Sequence, residues 1–399
     1  MSELYELPDN WEWKKLEEII RIGCERGFKP TIIDGKVPFI GMTNIDKYTG
    51  RDTKYILEDN DKVSKGKTKF QKNAVLLGKI TPCTQNNKTT IIPDDIDGGY
   101  ATTEVYALHC LERIKPLYFN YYIRSKQVNE FLVNSMVGAT GRQRVPSEVV
   151  KNLDIPLPPL QEQKRIVSKL DTLFEKIDKL IALHQKNMDE ADVFMGSVLN
   201  DVFGELEKEY EKKQLTEVID FIGGSQPPKS SFSYEKKDGY IRLIQIRDYK
   251  TDNHIVYINK ESTKKFCTKD DIMIGRYGPP VFQILRGLEG AYNVALMKAV
   301  SKSDNLNREY LYLFLQSPLI QHYIIGLSQR SAGQSGVNKV ALEEYEIALP
   351  PLTIQQKTVA YLDEIFQKIE KIKSVQKEKM ESLVALKASI LDQAFRGKL

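Results

Sequence analysis

The chain has 399 residues, of which 41% are hydrophobic, and this composition predicts a folded protein of two or three domains. Its 58 Lys and Arg residues outnumber its 54 Asp and Glu residues only slightly, so a nucleic-acid surface would have to come from local basic clusters. No apolar run approaches the roughly 20 residues of a membrane span, the N-terminus does not resemble a signal peptide, and the four cysteines lack C-x-x-C pairing, so we expect a cytoplasmic protein without structural disulfides.

Residues 1–152 form the first predicted globular domain. The short apolar runs 37–40 and 74–77 are bounded by Gly, Pro and Asn turns, which predicts strands. Residues 117–133 have the apolar spacing of one amphipathic helix. The polar, glycine-containing loop 138–144 then leads into the next element.

Residues 153–208 contain the first of two long predicted helices. After the proline step PLPP at 156–159, residues 161–203 contain no proline, and their apolar residues recur at alternating spacings of three and four. This pattern is typical of a coiled-coil seam, and a helix over these 43 residues would be about 65 Å long. His184 and Asn187 occupy the middle seam positions, where polar residues set the register of the pairing. The predicted seam residues of this helix are Leu170, Leu173, Ile177 and Leu180.

The second half of the chain repeats the first. Residues 209–345 repeat the order of the first domain, and residues 346–399 repeat the long helix. The sequence LPPL recurs 192 positions later, at 349–352 after 157–160, and the match runs without a gap to Phe203 and Phe395. Such a duplication constrains the architecture more strongly than any local feature. The predicted seam residues of the second helix are Leu362, Ile365, Ile369 and Ile372.

The duplication predicts how the two helices pair. One helix of this length cannot bury its own apolar stripe, and two equal helices related by duplication pack most simply about a twofold axis. The predicted fold class is α+β, with two tandem α/β domains separated and spaced by two long antiparallel helices. These helices form a coiled coil, and the whole chain is a pseudo-twofold internal repeat.

The sequence lacks the motifs of common catalytic sites. It contains no GxxxxGK phosphate loop, no GxGxxG, and no Asn/Asp-Pro-Pro-Tyr/Phe segment of the kind found in adenine methyltransferases. The four histidines have no recurring partner at metal-ligand spacing. We therefore expect no catalytic residue, no bound cofactor and no metal in this chain, and we interpret it as a recognition protein.

Basic residues recur at matching places in the two domains and suggest contact with DNA. Lysines that could neutralise phosphates precede Lys79 in the first domain and Arg276 in the second; they are Lys65, Lys67, Lys69, Lys264 and Lys265. The side chains that could read base edges are Lys79, Arg142, Gln143, Arg144, Arg276, Tyr277, Arg330 and Gln334. The alternative is that the lysines form only a solvated face and that loops 138–144 and 331–336 are connectors.

The residues around the proline steps carry a resemblance to a known family. The stretch IPLPPLQEQKRIV at 155–167 and its copy IALPPLTIQQKTV at 347–359 resemble the conserved regions of specificity subunits of type I restriction–modification enzymes. The resemblance covers the whole chain: a target-recognition domain (1–152), a spacer helix (153–208), a second target-recognition domain (209–345) and a second spacer helix (346–399).

The resemblance implies a function and a set of partners. Each recognition domain would read one half of a bipartite duplex DNA site, and the coiled coil would set the spacer and dock two methyltransferase subunits. Those partners bind S-adenosylmethionine and methylate adenine, and restriction or translocase subunits can join them. Two alternatives stay open: a standalone bivalent DNA-binding protein, and a coiled-coil scaffold for proteins. A salt-sensitive complex with duplex DNA and a methyltransferase would separate these readings.

Overall fold

The computed structural model describes residues 5–47, 49–51, 53–139, 141–328 and 336–399. The chain forms two compact units, Met1–His184 with Glu378–Leu399, and Gln185–Lys377. Each unit therefore contains one globular part and portions of both long helices. The spacer helices, which we predicted as regions separate from the recognition domains, are shared between the two units.

The first unit begins with a mixed set of short elements. In chain order they are β1 (Glu12–Lys15), α1 (Leu16–Ile19), β2 (Ile20–Ile22), β3 (Lys36–Ile40), β4 (Ile56–Asp59), α2 (Asn60–Val63), β5 (Thr68–Gln71), β6 (Ala74–Gly78), β7 (Thr89–Ile91), β8 (Gly98–Ala101), β9 (Val105–Cys110), α3 (Pro116–Ile123), α4 (Lys126–Asn134), α5 (Ser147–Lys151) and β10 (Asp154–Leu157). The first long helix, α6 (Leu160–Glu209), follows the proline step and extends six residues beyond the predicted end at Phe203.

The elements after α6 repeat this order. They are β11 (Lys212–Gln214), α7 (Leu215–Val218), β12 (Ile219–Gly223), β13 (Tyr240–Ile244), β14 (Tyr257–Asn259), β15 (Phe266–Cys267), β16 (Ile272–Gly275), β17 (Gln283–Leu285), β18 (Gly290–Tyr292), β19 (Leu296–Ser301), α8 (Arg308–Gln316), α9 (Pro318–Ser328), α10 (Lys339–Glu344), β20 (Glu346–Ala348) and the second long helix, α11 (Leu352–Phe395). In the described part of the chain, no helix is both long and apolar enough to span a membrane.

The two globular parts have the same sheet topology. Among the described residues, each contains two four-stranded sheets: β2-β9-β6-β7 with β4-β3-β8-β5, and β12-β19-β16-β17 with β14-β13-β18-β15. In both, one strand pair is parallel, β3 with β8 and β13 with β18. A two-stranded ribbon, β1 with β10 or β11 with β20, brings each proline step beside the start of its domain. The predicted α+β repeat is thus confirmed, and the structure shows in addition that the two repeats share one strand order.

The core of each globular part includes the end of the long helix from the other repeat. Phe395, at the end of α11, is buried in the first unit, with its ring 5.3 Å from Tyr118 and 5.1 Å from Tyr122 in edge-on packing. Phe203, at the end of α6, is buried in the second unit with its ring 5.3 Å from Tyr310. Each domain is therefore completed by residues far away in the sequence.

The two helices run antiparallel within each unit. In the first unit Leu170 and Phe395 share one core, and eight residues inward along each helix Lys387 Nζ lies 2.7 Å from the Asp178 carboxylate. In the second unit Phe203 and Leu362 share a core. Eleven residues inward from that core, Lys373 Nζ lies 2.8 Å from the Asp192 carboxylate. In both units, moving the same number of residues up one helix and down the other leads from the shared core to an ion pair between the helices. The two helices are therefore antiparallel.

The observed seam differs from the predicted seam near the middle of each helix. Leu170, Ile177, Leu362 and Ile369 are buried, and Leu173 and Ile365 are half-buried. Leu180 and Ile372, however, are 45% and 50% exposed. Their next residues, Ile181 and Lys373, are the ones partly buried. Leu180 and Ile181 are both apolar, so the pattern does not choose between them, and Lys373 can bury its aliphatic stem while its amine pairs with Asp192.

The predicted helix over 117–133 is two helices in the structure. α3 ends at Ile123 and α4 begins at Lys126, so Arg124 and Ser125 lie between the two helices. The side-chain amide of Asn87 donates to the Arg124 carbonyl at 2.8 Å, which uses an oxygen that a continuous helix would need for its own hydrogen bond. The break follows from a contact between elements distant in sequence, and the amphipathic pattern alone does not contain it.

Candidate nucleic-acid interface

Two predicted base-reading residues occupy equivalent positions in the two units. Lys79 and Arg276 each directly follow a central strand, β6 or β16. The Lys79 amide donates to the Glu104 carbonyl at 2.9 Å, and its carbonyl accepts from the Val145 amide at 2.8 Å. Arg276 makes the equivalent two backbone bonds at 2.8 and 2.9 Å. The same backbone site thus presents a lysine in one unit and an arginine in the other.

The side chains at these two positions lie against aromatic rings. Lys79 Nζ is 4.5 Å from the centroid of the Tyr106 ring, and the Arg276 guanidinium is 5.2 Å from the ring of Tyr277. Burial, and to a lesser extent the charge of Arg144, lower the pKa of Lys79. A cation held over a ring keeps a restricted direction. Both units therefore offer an oriented positive group at the end of a central strand.

The loop that carries the other predicted base-reading residues of the first unit is tied to the sheet. Val137 and Arg144 exchange two backbone hydrogen bonds of 2.9 and 2.8 Å. The Gln143 carbonyl accepts from the Thr81 amide at 3.0 Å, and the Gln143 amide donates to Thr81 Oγ1 at 3.1 Å. Arg142 and Arg144 are exposed and Gln143 is half-buried. Loop 138–144 is therefore an anchored loop with exposed arginines. Arg330 and Gln334, the predicted residues of the matching loop, lie outside the described residues.

The predicted lysine cluster of the first unit lies on and beside strand β5. Lys67 Nζ is 5.8 Å from the Phe39 ring centroid, and Lys69 Nζ donates to the Phe28 carbonyl at 3.2 Å. Lys65 is exposed in the turn before the strand. The amines of Lys67 and Lys69 are therefore partly engaged with the protein, while Lys65 is well placed to meet a phosphate.

The cluster adjoins Lys79. The hydroxyl of Thr68 donates to the Val105 carbonyl at 3.4 Å, and Val105 pairs with Gly78, the residue before Lys79. Lys67 precedes Thr68 in the chain, and Lys79 follows Gly78. The backbone of the lysine cluster therefore lies close to the backbone that carries Lys79.

The second unit places a lysine at the position that matches Lys67. Phe70 and Cys267 both face the apolar core between the two sheets of their units, and they lie three residues after Lys67 and Lys264. Lys264 is exposed, and Lys265, the next residue, is half-buried. Equivalent lysines therefore accompany Lys79 and Arg276, which extends the match from single residues to a pair of cations in each unit.

Three further lysines of the first unit share one hollow and were not predicted from the sequence. Lys47, Lys54 and Lys88 line one hollow beside the turn that follows β3. They are isolated in sequence, so no charge run marks them. Among the described residues, no group of three or more His, Cys, Asp and Glu side chains could hold a metal ion. The chemistry that these surfaces offer is the binding of phosphates by lysine and of base edges by Arg and Gln.

Comparisons with known proteins agree with the internal repeat. The family model for the type I restriction modification DNA specificity domain matches twice, over residues 8–188 and 207–381. The chain is 34% identical over 181 residues to the type I restriction enzyme EcoAI specificity subunit of Escherichia coli, a match that covers 44% of this chain and 30% of that protein. The chain thus spans less than a third of the length of that relative.

Two solved structures resemble the chain over almost its full length. One is a chain from a study of complex assembly and conformational transition of a type I restriction–modification system; it is 25% identical, with a TM-score of 0.75, and the match covers 99% of this chain and 100% of that one. The other is the HsdS subunit of Thermoanaerobacter tengcongensis, also 25% identical, with a TM-score of 0.52 and 99% coverage of both chains. Each matched range of the family model contains one repeat of the described topology.

Proposed function

Because the chain belongs to the family of type I restriction–modification DNA specificity subunits, we propose that it is the DNA-recognition subunit of such an enzyme. Each recognition domain reads one half of a bipartite duplex site. The supporting observation is that Lys79 and Arg276 occupy equivalent backbone positions in the two domains. The side chains there differ: the lysine lies against the ring of Tyr106 and the arginine against that of Tyr277. Two domains with the same backbone structure and different side chains can read two different base sequences.

We further propose that the helix pair sets the spacing of the half-sites and docks two methyltransferase subunits. Contiguous exposed apolar side chains mark surfaces where another protein binds. On the two helices they recur at positions 192 residues apart: Leu180 and Ile372, Leu183 and Val375, Phe194 and Leu386. A duplicated apolar surface fits two copies of one partner. In this proposal the partners bind S-adenosylmethionine and methylate adenine, restriction or translocase subunits can join the complex, and this chain is not catalytic.

The proposal is tested by methylation-sensitive sequencing. DNA from cells that express this chain with a methyltransferase of the same system should carry methyl groups in one bipartite motif, and exchanging one recognition domain should change one half of it. The purified chain alone should neither bind S-adenosylmethionine nor transfer methyl groups. A stable complex with duplex DNA but none with the methyltransferase would favour a standalone DNA-binding protein. The absence of any salt-sensitive DNA complex would favour a scaffold.

The lysine cluster of the first unit should supply affinity without sequence preference. Replacing Lys65, Lys67 and Lys69 together by Ala should weaken binding to every duplex and reduce the slope of log affinity against log salt by up to about three. Replacing Gln143 or Arg144 should instead change tolerance at one half-site, at a cost of about 1–3 kcal/mol if a bidentate base contact is lost. Titrations at several salt concentrations measure both effects. A lysine triple variant with changed base preference and the parental slope would show that the two roles are reversed.

The helix pair should act as a ruler. Inserting four residues after Lys186 and four after Glu378, which lies 192 residues later, should lengthen each helix by about 6 Å. Since duplex DNA rises about 3.4 Å per base pair, the spacer should grow by one or at most two pairs. Both half-site sequences should persist, because neither recognition domain is altered.

The methylated motif of this variant is read beside that of the parent. Four residues exceed one helical turn by roughly 40°, so some loss of stability is expected. A variant with the insertion after Lys186 alone serves as the control for mismatched helices. Altered half-sites with an unchanged spacer would refute the ruler.

A further inference from the structure

A basic hollow lies beside the turn Met42–Asn44 that follows strand β3 in the first unit. Lys47, Lys54 and Lys88 line it, together with one acid, Asp46. The Asp46 carboxylate accepts two hydrogen bonds of 2.7 Å from the amide and the hydroxyl of Thr49. Because three lysines and one acid line the hollow, its net charge is positive.

Arg124 joins the two loops that build this hollow. Its guanidinium donates to the carbonyl of Lys47 at 3.0 Å, and to the carbonyls of Asn87 and Thr89 at 3.2 and 2.6 Å. Burial lowers the pKa of Arg124 to about 10, and the negative charge of Asp46 acts in the opposite direction. The group therefore stays charged at neutral pH. Its fork of donors binds backbone oxygens from both loops at once, which a lysine amine cannot reproduce.

The floor under these loops is closely packed. Gly50 has φ +65°, and a Cβ there would lie 2.6 Å from Arg124 Nη1, so no larger residue fits without moving the guanidinium. The Gly50 carbonyl accepts from the Thr90 hydroxyl at 2.9 Å and from the Asn120 amide at 3.3 Å. The loop that carries Lys47 is thus fixed to β7 and α3.

The hollow is connected to Lys79 through the backbone of Lys88. Lys88 Nζ donates to the Met42 carbonyl at 2.7 Å, across the two loops. The Lys88 carbonyl accepts from the Gly78 amide at 2.8 Å, and Gly78 directly precedes Lys79. The backbone of Lys88 therefore lies beside the residue that precedes Lys79.

We propose that Lys47, Lys54 and Lys88 form a binding site for a backbone phosphate of the DNA, and that Arg124 is the positioning residue that holds this site together. The inference rests on the proposed DNA-recognition function and adds a contact specific to the first unit. The residue that matches Arg124 in the second unit is Gln316, whose amide donates to the Tyr312 carbonyl at 3.1 Å. The hollow beside the corresponding turn of the second unit is lined by two acids, Asp248 and Asp252, as well as by Lys250 and Arg286.

The test uses the full chain and a duplex that carries its methylated motif. Lys54→Ala with Lys88→Ala should reduce the slope of log affinity against log salt by up to about one, because the slope falls by about 0.9 per phosphate contact and the site binds one phosphate. Lys151→Ala, on α5, removes the same type of charge away from the hollow and should leave the slope unchanged. Duplexes with neutral methylphosphonate linkages beside the first half-site should bind the parent and the double variant equally. The same linkages beside the second half-site should preserve the difference.

The positioning role is tested with Arg124→Lys and with Gln316→Ala as its counterpart in the second unit. Arg124→Lys keeps the charge but should lower the slope by up to about one, as the loops separate, whereas Gln316→Ala should bind as the parent does. Thermal unfolding of each variant is recorded alongside. A parental slope in Lys54→Ala with Lys88→Ala overturns the phosphate site, and a parental slope in Arg124→Lys with a lowered Tm reduces Arg124 to a purely structural residue. Absence of salt-dependent DNA binding by the parent chain would instead refute the proposed function itself.

Discussion

Phe395→Ala should destabilise the first unit by about 3–5 kcal/mol, the usual cost of removing a large aromatic ring from a packed core. The ring is only 4% exposed and packs edge-on against Tyr118 and Tyr122, in the helix that supports the first recognition domain. Although Phe395 lies at the end of the second repeat, the domain that should lose stability is the one at the start of the chain. Recognition of the first half-site should weaken with it.

Hydrogen exchange resolved along the chain measures this effect. Amides of β6 and β9 should lose protection in Phe395→Ala, while those of β16 and β19 should exchange as in the parent. Phe203→Ala, the matching change, should reverse the pattern because its ring packs against Tyr310 in the second unit. Phe194 lies in α6 like Phe203, but it is 56% exposed. Phe194→Ala should therefore change protection in neither region by much. Loss of protection in the second unit on replacing Phe395 would contradict the exchange of helix ends.

Gln163→Leu should cost roughly 3 kcal/mol or more, because it leaves several buried backbone groups without partners. The Gln163 side chain is fully buried, and its Oε1 accepts from the Lys115 amide at 2.8 Å. Its Nε2 donates to the carbonyls of Arg113 and Pro158 at 3.0 and 2.9 Å. Two of these bonds join the first turn of α6 to the turn before α3, and the third joins it to the proline step. Leucine fills a similar volume, so the loss would arise from hydrogen bonding.

The repeat supplies a second copy of this contact. Gln355 accepts from the Asn307 amide at 2.7 Å and donates to the carbonyls of Asn305 and Pro350 at 2.8 Å each. Gln355→Leu should therefore cause a similar loss in the second unit, and Gln161→Leu, on the exposed side of the same helical turn as Gln163, should change stability by less than about 0.5 kcal/mol. Denaturant unfolding with a probe in each unit measures the three variants. Equal stability of Gln163→Leu and Gln161→Leu would show that the buried bonds contribute nothing net.

Several features of this protein could be predicted from the sequence alone. The two long helices, the duplicated domains and the membership in a family of specificity subunits follow from the proline steps, the seam spacing and the offset of 192 residues. The strands at 37–40 and 74–77 were predicted and lie within β3 and β6. These features are carried by contiguous residues, because the period of an amphipathic helix and the turns around a strand are local properties of the chain.

Other features were decided by the tertiary structure. Three features depend on contacts between residues distant in sequence. They are the break between α3 and α4, the burial of Ile181 in place of Leu180 at the helix seam, and the grouping of Lys47, Lys54 and Lys88. The buried glutamines and the exchange of helix ends are of the same kind. Leu180 and Ile181 would fit the apolar stripe of the helix equally well. Single lysines in separate loops form no sequence pattern that predicts a shared site. Only the packing of one element against another selects among such locally equivalent choices, because the free energy that distinguishes them arises from burial and hydrogen bonds that no isolated segment possesses.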